Sequence, residues 1–203
     1  MKIAVIDYGA GNLFSVRRAL EAVGAEFDIT ESAAKLTQAE KLILPGVGAF
    51  ADGMRGLKKR RLVKPIRNEV KKGKPILGIC LGLQLLMEEG FEFGKHEGLG
   101  LIEGKTDKII TSEKLPQIGW NQIKKQHDSL LLKGVADKEF FYFVHSFVIR
   151  PKKKPVVAAT TNYGGDEFCS VVNFKNIYGT QFHPEKSGTE GLKIYQNFKN
   201  IKL

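Results

Sequence analysis

The sequence has only two cysteines, Cys80 and Cys169, among 203 residues. Two cysteines do not make a disulfide framework, so we expect a reducing, cytoplasmic environment. No apolar run approaches the roughly 20 residues of a membrane span. The first apolar stretch turns polar at Asp7, which is too short for the core of a signal peptide. We therefore expect neither a membrane association nor secretion.

Acidic residues are also few. The chain has 22 Asp plus Glu against 32 Lys plus Arg, for a net charge of +10, so nucleic acid has to be weighed as a partner. The basic residues form three short clusters, at 58–61, 71–74 and 152–154, and no aromatic residues interleave with them as a base-stacking surface requires. Solvated loops and helix faces explain such clusters better. We expect no nucleic-acid partner, and a basic nucleic-acid-binding module stays open as an alternative.

What is present is typical of a globular protein, with 42% hydrophobic and 27% charged residues. The length suits one domain with a sizeable core, and without an obvious linker or repeat we expect residues 1–203 to form a single domain. Predicted helices cover residues 13–23, 51–59, 61–72 and 189–201. Predicted strands cover residues 2–7, 25–29, 41–44, 76–79, 101–105, 108–110, 118–123, 140–144, 156–161, 168–174 and 177–181.

The order of these elements predicts an α/β fold. Strands alternate with helices from residue 1 to 90, which is typical of a mostly parallel sheet with helices on both faces. From about residue 100 strands follow one another without long helices, so we expect an antiparallel extension of the sheet in the C-terminal half.

The sequence is organised around Cys80, which stands two residues from a glycine on each side, Gly78 and Gly82. The apolar run 76–79 predicts a buried strand, and 83–89 predicts a helix, so Cys80 falls on the turn between them. Gly-x-Cys-x-Gly is a cysteine version of the nucleophile elbow, a strained turn that lifts a nucleophile above a sheet. A helix N-terminus there would also favour the thiolate. The alternative is a buried structural cysteine.

Two glycine loops follow other predicted strands. In parallel sheets ligands bind at the carboxyl ends of strands, where residues 9–12, residues 45–48 and Cys80 should meet. The glycines of 45–48 allow backbone N–H groups to point into a cleft, as an oxyanion-stabilising loop requires; an ordinary turn is the alternative. Residues 9–11 do not make a dinucleotide fingerprint, because position 14 is Phe rather than the third glycine, and we expect no cofactor.

His183 is one of only four histidines, and it follows a predicted strand. Glu185 lies two residues further, where extended backbone faces the same way and Pro184 stiffens the link. The carboxylate would hold one imidazole nitrogen and direct the other towards a thiol. A His-x-Glu pair alone is usually a surface polar pair. Together with the cysteine elbow it predicts a Cys80, His183, Glu185 triad.

Six stretches in this order give the chain a specific resemblance. They are 7–12, 45–48, 78–84, 119–121, 143–147 and 181–187. The chain resembles the class I (triad) glutamine amidotransferases, and within them it is similar to the glutaminase subunits of imidazole glycerol phosphate synthases, almost end to end. The resemblance implies a flavodoxin-like three-layer fold. The sequence departs from the commoner family pattern at Ala10, where many relatives have Pro, and at Phe147, where Tyr is commoner.

The resemblance also implies roles for individual residues. Cys80 would attack the side-chain amide of L-glutamine and release ammonia, with His183 relaying protons and Glu185 orienting it. The implied oxyanion donors are the backbone N–H groups of Val47 and Leu81. The implied glutamine-binding residues are Gly48, Gln84, Glu92, Ser146 and Phe147. The implied partner-interface residues are Tyr8, Asn12, Trp120, Asn121 and Lys186. No metal is implied.

The family's partner is a cyclase subunit, a (β/α)₈ barrel, which forms a heterodimer with the glutaminase and receives ammonia through a channel for histidine biosynthesis. Two related interpretations stay open. One is a paralogous amidotransferase subunit that serves amidation of a nucleotide-linked or surface sugar. The other is a free-standing γ-glutamyl thiol hydrolase, which would need no partner.

Overall fold

The centre of the fold is a twelve-stranded sheet, seen in a computed structural model that describes residues 2–202. The strands are β1 Lys2–Ile6, β2 Glu26–Thr30, β3 Lys41–Leu44, β4 Ile76–Ile79, β5 Met87–Gly90, β6 His96–Glu97, β7 Ile102–Lys108, β8 Gln117–Gln122, β9 Lys124–Lys125, β10 Phe140–His145, β11 Phe147–Pro151, β12 Val157–Tyr163, β13 Asp166–Phe174 and β14 Ile177–Thr180. The helices are α1 Leu13–Ala22, α2 Ala33–Gln38, α3 Phe50–Lys59, α4 Val63–Lys71, α5 Leu81–Leu85 and α6 Gly188–Asn200.

The strand order from one edge is β2-β1-β3-β4-β14-β13-β11-β7-β5-β6, with β12 and β9 attached beside β13. Neighbours are parallel from β2 to β14. They are antiparallel from β14 through β13 and β11 to β7. Strands β8 and β10 form a separate antiparallel ribbon. The predicted α/β fold, with a mostly parallel centre and an antiparallel extension, is confirmed.

Two apolar cores cover the two faces of the parallel strands. The side chains of β1 alternate between them, because successive residues of a strand face opposite ways: Ile3 and Val5 lie in one core, Ala4 and Ile6 in the other. Helices α1 and α6 contribute to the first core, and α2 to α5 to the second. Strands β3 and β4 are buried at every residue, as expected of strands covered on both faces. The result is three layers.

The predicted helix over 83–89 is wrong in its second half. Helix α5 ends at Leu85, and residues 87–90 form strand β5, which runs parallel to β7. Met and Glu favour helix locally, but pairing with β7 overrides that weak preference. The sequence predicted two strands, over 101–105 and 108–110, where the structure has the single strand β7. Strand β7 continues through Lys108 because it pairs with β11 along the length of that strand.

Three further differences concern α2, β11 and β14. Helix α2 was not predicted, because it has six residues and buries only Leu36. Strand β11 was also missed, although its residues Phe147, Val148 and Ile149 form an apolar run. Strand β14 was predicted among the antiparallel strands, yet it lies in the centre and runs parallel to β4. That placement decides the geometry of the site.

Gly82 packs so closely against β3 that any side chain would collide with it. A Cβ built on Gly82 lies 1.7 Å from the carbonyl oxygen of Leu44. We expect Gly82→Ala to lower the free energy of unfolding in urea by roughly 3 kcal/mol or more, because backbone must move to accommodate the methyl group. Gly134→Ala is the matched control, since Gly134 has a φ of +72° and no atom within 4 Å of a built Cβ. It should cost only about 1–2 kcal/mol. Equal losses in the two variants would contradict the predicted clash.

Candidate active site

Cys80 occupies a strained turn between β4 and α5. Its φ is +52° and its ψ is −110°, a conformation that residues other than glycine rarely adopt. The backbone is held there from β14, because the Cys80 N–H donates to the Thr180 carbonyl at 2.8 Å. Strain of this kind is stored where surrounding structure fixes it, and it is common at functional sites. The turn has the character of the elbow that the sequence predicts.

The helix after Cys80 is shorter than the sequence suggests. Helix α5 has five residues, so the dipole behind the thiol is that of little more than one turn. The stabilisation of a thiolate that we expected from a helix N-terminus is correspondingly small. Other groups around the sulfur must contribute more.

His183 reaches the site because β14 lies beside β4. Thr180 pairs with Ile79 in parallel register, so the residues after both strands emerge at the same edge of the sheet. The His183 Nδ1 lies 2.7 Å from the Glu185 Oε1, and both side chains are only 2% exposed. The His183 Nε2 is buried and has no hydrogen-bond partner among residues 2–202. One nitrogen is thus held by the carboxylate while the other is unused.

The ionic environment favours a charged imidazole. Burial disfavours the imidazolium, but the charge of Cys80 and the carboxylate of Glu185 outweigh it and raise the pKa of His183 to about 10. At neutral pH the ring that faces the Cys80 sulfur is therefore protonated. A protonated imidazole beside a cysteine is the arrangement of a thiolate–imidazolium pair, which has both a nucleophile and a proton donor for a leaving group.

Tyr195 contacts Glu185, and the sequence did not predict this contact. Its hydroxyl donates to the Glu185 Oε2 at 3.4 Å from helix α6, and the side chain is fully buried. In the sequence Tyr195 is one apolar position on a helix face that packs on the core. Its hydroxyl gave no signal there, because only the packing of α6 against residues 184–186 brings the two together.

A cleft of about 580 Å³ opens beside the sulfur. Every oxyanion and glutamine-binding residue predicted from the sequence lines it: Val47, Gly48, Leu81, Gln84, Glu92, Ser146 and Phe147. Cys80 and Lys186 line it too, with Pro116, Val144 and His145. The structure therefore brings the predicted residues together, and their individual roles stay predictions.

Backbone contacts fix the walls of this cleft. The Glu92 Oε2 accepts from the Phe50 N–H at 2.8 Å, at the first residue of α3. The Gln84 Nε2 donates to the Phe147 carbonyl at 2.8 Å. In the loop before α3, Val47 is exposed and Gly48 has a φ of +105°. A left-handed glycine in an exposed loop leaves that backbone free to change its peptide orientation.

His145 was not given a role by the sequence, yet it lines the cleft. It is buried, and its Nδ1 lies 3.1 Å from the Phe147 carbonyl. Burial lowers the pKa of His145 to about 4, and the nearby His183 adds to that effect while the Phe147 carbonyl opposes it. His145 is therefore neutral at neutral pH. Of the two histidines beside Cys80, only His183 has the charge to act as the proton donor.

The predicted interface residues differ in exposure. Tyr8 is buried and its hydroxyl donates to the Pro45 carbonyl at 2.7 Å, so a role in partner binding would have to pass through the 45–48 loop. Asn12 caps α1 by accepting from the Ser15 N–H at 3.2 Å.

The other three lie around the β8–β10 ribbon. Trp120 is 56% exposed and packs edge-on against Tyr142, with ring centres 6.2 Å apart. The Lys186 Nζ lies 5.6 Å from the centre of the same Tyr142 ring. The Asn121 Nδ2 donates to the Asn162 carbonyl at 2.9 Å. Trp120 and Lys186 have the exposure that an interface requires, and the assignment stays a prediction.

Comparison with known proteins agrees with this geometry. The sequence profile of the family described as glutamine amidotransferase class-I matches residues 4–201. The chain belongs to the class I glutamine amidotransferases. A relative from Aquifex aeolicus, named imidazole glycerol phosphate synthase subunit HisH, is 47% identical over 98% of this chain and 96% of its own length. A relative from Methanococcus maripaludis, named imidazole glycerol phosphate synthase subunit HisH 1, is 46% identical over 98% of this chain and 99% of its own.

Solved structures show the same fold at lower identity. The structure of PurLQS from Thermotoga maritima superimposes with a TM-score of 0.77 over 98% of this chain and 97% of the other, at 24% identity. At that identity the likeness concerns the fold alone. Between residues 2 and 202 this amidotransferase has no group of three or more His, Cys, Asp or Glu placed to hold a metal ion. None of the helices in that range is long and apolar enough to cross a membrane.

The electrostatic coupling between Cys80 and His183 can be measured directly. In Cys80→Ala the burial penalty on the imidazolium is no longer opposed by the sulfur, so the pKa of His183 should fall from about 10 by at least one unit. An NMR titration of the His183 ring would record it. Cys169→Ala is the matched control, because Cys169 lies in the core on the other face of the sheet. The same His183 pKa in both variants would contradict the thiolate–imidazolium pair.

Proposed function

We propose that this chain is the glutaminase subunit of an imidazole glycerol phosphate synthase, which hydrolyses L-glutamine and passes the ammonia to a cyclase subunit in histidine biosynthesis. The observation that carries the proposal is the position of Cys80 on a cleft of about 580 Å³, with the buried His183–Glu185 pair next to its sulfur. The narrower proposal, that the synthase is an imidazole glycerol phosphate synthase, is supported by relatives of that name at 42–48% identity over nearly the whole chain.

The reaction follows from the charge state of the pair. The Cys80 thiolate attacks the carbonyl carbon of the glutamine side chain and forms a tetrahedral oxyanion. The His183 Nε2–H protonates the leaving nitrogen, which departs as ammonia and leaves a glutamyl thioester on Cys80. His183 then takes a proton from water, whose hydroxide attacks the thioester, and glutamate and the thiolate are released. Glu185 holds the ring orientation throughout by accepting from Nδ1.

The oxyanion requires donors on the far side of the attacked carbonyl. Leu81 is the first residue of α5, where a backbone N–H has no partner within its own helix. We assign the second donor to the peptide at Val47, beside the left-handed Gly48. In the proposal this peptide turns its N–H inward when the partner docks. Gly48, Gln84, Glu92, Ser146 and Phe147 hold the ends of the substrate glutamine.

The partner in this proposal is a (β/α)₈ barrel cyclase that forms a heterodimer with this chain. Support comes from the relatives, whose names describe one subunit of a synthase. The exposed Trp120 and Lys186 provide an aromatic and a cationic contact, and Asn12 and Asn121 complete the proposed face. Tyr8 acts indirectly, through its hydrogen bond to Pro45. We also propose a single domain over residues 1–203 and a cytoplasmic location, to which the two free cysteines are suited.

The two cysteines allow a matched test of the nucleophile. Cys80→Ala should abolish ammonia release from glutamine, because no other thiol faces the cleft. Cys169→Ser should retain most of the activity, because Cys169 is buried in β13, in the core on the opposite face of the sheet from Cys80. The assay measures ammonia release with the barrel subunit present. Activity that survives Cys80→Ala, or is lost only with Cys169, would contradict the triad.

Dependence on a partner tests the narrower proposal. Since loss of one oxyanion donor costs roughly 10²–10³ in rate, the chain alone should hydrolyse glutamine slowly, and a barrel subunit carrying its nucleotide ligand should accelerate it by that factor or more. Steady-state glutaminase kinetics for the chain alone, with the barrel, and with barrel plus ligand would measure this. Full activity of the chain alone would instead favour a free-standing γ-glutamyl hydrolase. Activation only by a sugar-amidating partner would favour the paralogous subunit.

A further inference from the structure

Three amide groups form a buried chain of hydrogen bonds that ends at the nucleophile. The Gln181 Nε2 lies 3.7 Å from the Cys80 Sγ, and the Gln181 Oε1 accepts from the Gln84 Nε2 at 3.3 Å. The Gln84 Nε2 also donates to the Phe147 carbonyl at 2.8 Å. Gln181 is fully buried and Gln84 is 4% exposed. The mechanism above leaves Gln181 without a function.

The orientation of the Gln181 amide is determined at the other end of this chain of hydrogen bonds, by the Phe147 carbonyl. The Phe147 carbonyl can only accept, so Gln84 must present its NH₂ group to it. The second N–H of that group donates to the Gln181 oxygen, which leaves the Gln181 NH₂ group facing the sulfur. A reversed Gln181 amide would place two NH₂ groups against each other and an oxygen against the thiolate. The backbone of β11 therefore fixes which end of Gln181 faces Cys80.

We propose that Gln181 is a positioning residue that donates its Nε2–H to the thiolate of Cys80 and holds the sulfur for attack. The inference rests on the proposed function, since it concerns the same nucleophile. Gln181 is an uncharged donor, and its hydrogen bond to an ionised sulfur is stronger than one to a thiol. Such a donor is useful here because α5 is too short to stabilise the thiolate by itself.

Other groups also face the sulfur, and they bear on its titration. His183 approaches from the segment after β14, with Glu185 behind it. The Tyr8 hydroxyl lies close enough for the charge of Cys80 to raise the pKa of Tyr8, after a larger effect from burial. Glu92, His145 and Lys186 line the same cleft as Cys80. All of these remain in a Gln181 variant, so a change in Cys80 reactivity there reports on the amide.

The test is the pH dependence of Cys80 alkylation by iodoacetamide in the full chain, read by mass spectrometry of the Cys80 peptide. Gln181→Met keeps an unbranched side chain of similar length and removes the donor. We expect the apparent pKa of Cys80 to rise by about one unit. In the complex with the barrel subunit, kcat should fall about ten-fold while KM changes little, because the Gln84 to Phe147 hydrogen bond remains. A residue that only fills space would leave the alkylation profile unchanged.

Ser170→Ala is the matched control, because Ser170 is buried beside Gln181 and its carbonyl accepts the Gln181 backbone N–H at 2.9 Å. Its alkylation profile should equal that of the wild type. An unchanged profile in Gln181→Met, with a reactive wild-type Cys80, would overturn this inference alone. A wild-type Cys80 that reacts no faster than the unfolded chain at neutral pH would overturn the proposed function as well.

A second measurement needs no substitution at Gln181. In the wild-type chain the side-chain amide signals of Gln181 in an NMR titration should shift with the same midpoint as Cys80 alkylation. The shift should be absent in Cys80→Ala. Amide signals that do not follow the sulfur would contradict the hydrogen bond even if Gln181→Met failed to fold.

Discussion

The site depends on the parallel pairing of β4 with β14. Four residues of each strand lie in register, from Ile76 opposite Ile177 to Ile79 opposite Thr180. Because the strands are parallel, the chain leaves both at the same edge of the sheet, with Cys80 after one and His183 after the other. The two strands are about one hundred residues apart in sequence. Without this pairing Cys80 and His183, the proposed nucleophile and base, would not lie next to each other.

A buried ion pair lies next to strands β4 and β14. Buried charges destabilise a fold unless they are paired with an opposite charge and hydrogen-bonded. His183 and Glu185 satisfy this condition through their 2.7 Å contact, and Tyr195 donates to the second carboxylate oxygen. The same low exposure that makes the pair costly strengthens its interactions. The raised pKa of His183 is a consequence of the position of its ring between Cys80 and Glu185, and it keeps a proton available for the proposed amide cleavage.

Sequence patterns were most reliable where a local constraint decides the structure. The buried strands β3 and β4 were predicted with their observed bounds, because short and largely apolar runs next to turn signals suit a strand covered on both faces. The structure also explains the glycines on either side of Cys80, because a Cβ at Gly78 would lie 2.7 Å from the Leu83 Cα and one at Gly82 would lie 1.7 Å from the Leu44 carbonyl oxygen. Local preference failed at residues 87–90, where pairing with β7 outweighs the helix propensity of Met and Glu.

The sequence by itself determined which residues could carry the chemistry. A cysteine between two glycines after a buried strand, and a histidine two residues before a glutamate, predict a nucleophile and a base without coordinates. Only the tertiary structure decided which neighbouring groups contact Cys80 and the His183–Glu185 pair. The central place of β14, the Tyr195 hydroxyl on Glu185 and the Gln181 amide on Cys80 are contacts between segments far apart in the chain. No local pattern encodes such contacts, because they form only when the strands have paired and α6 has packed against the sheet.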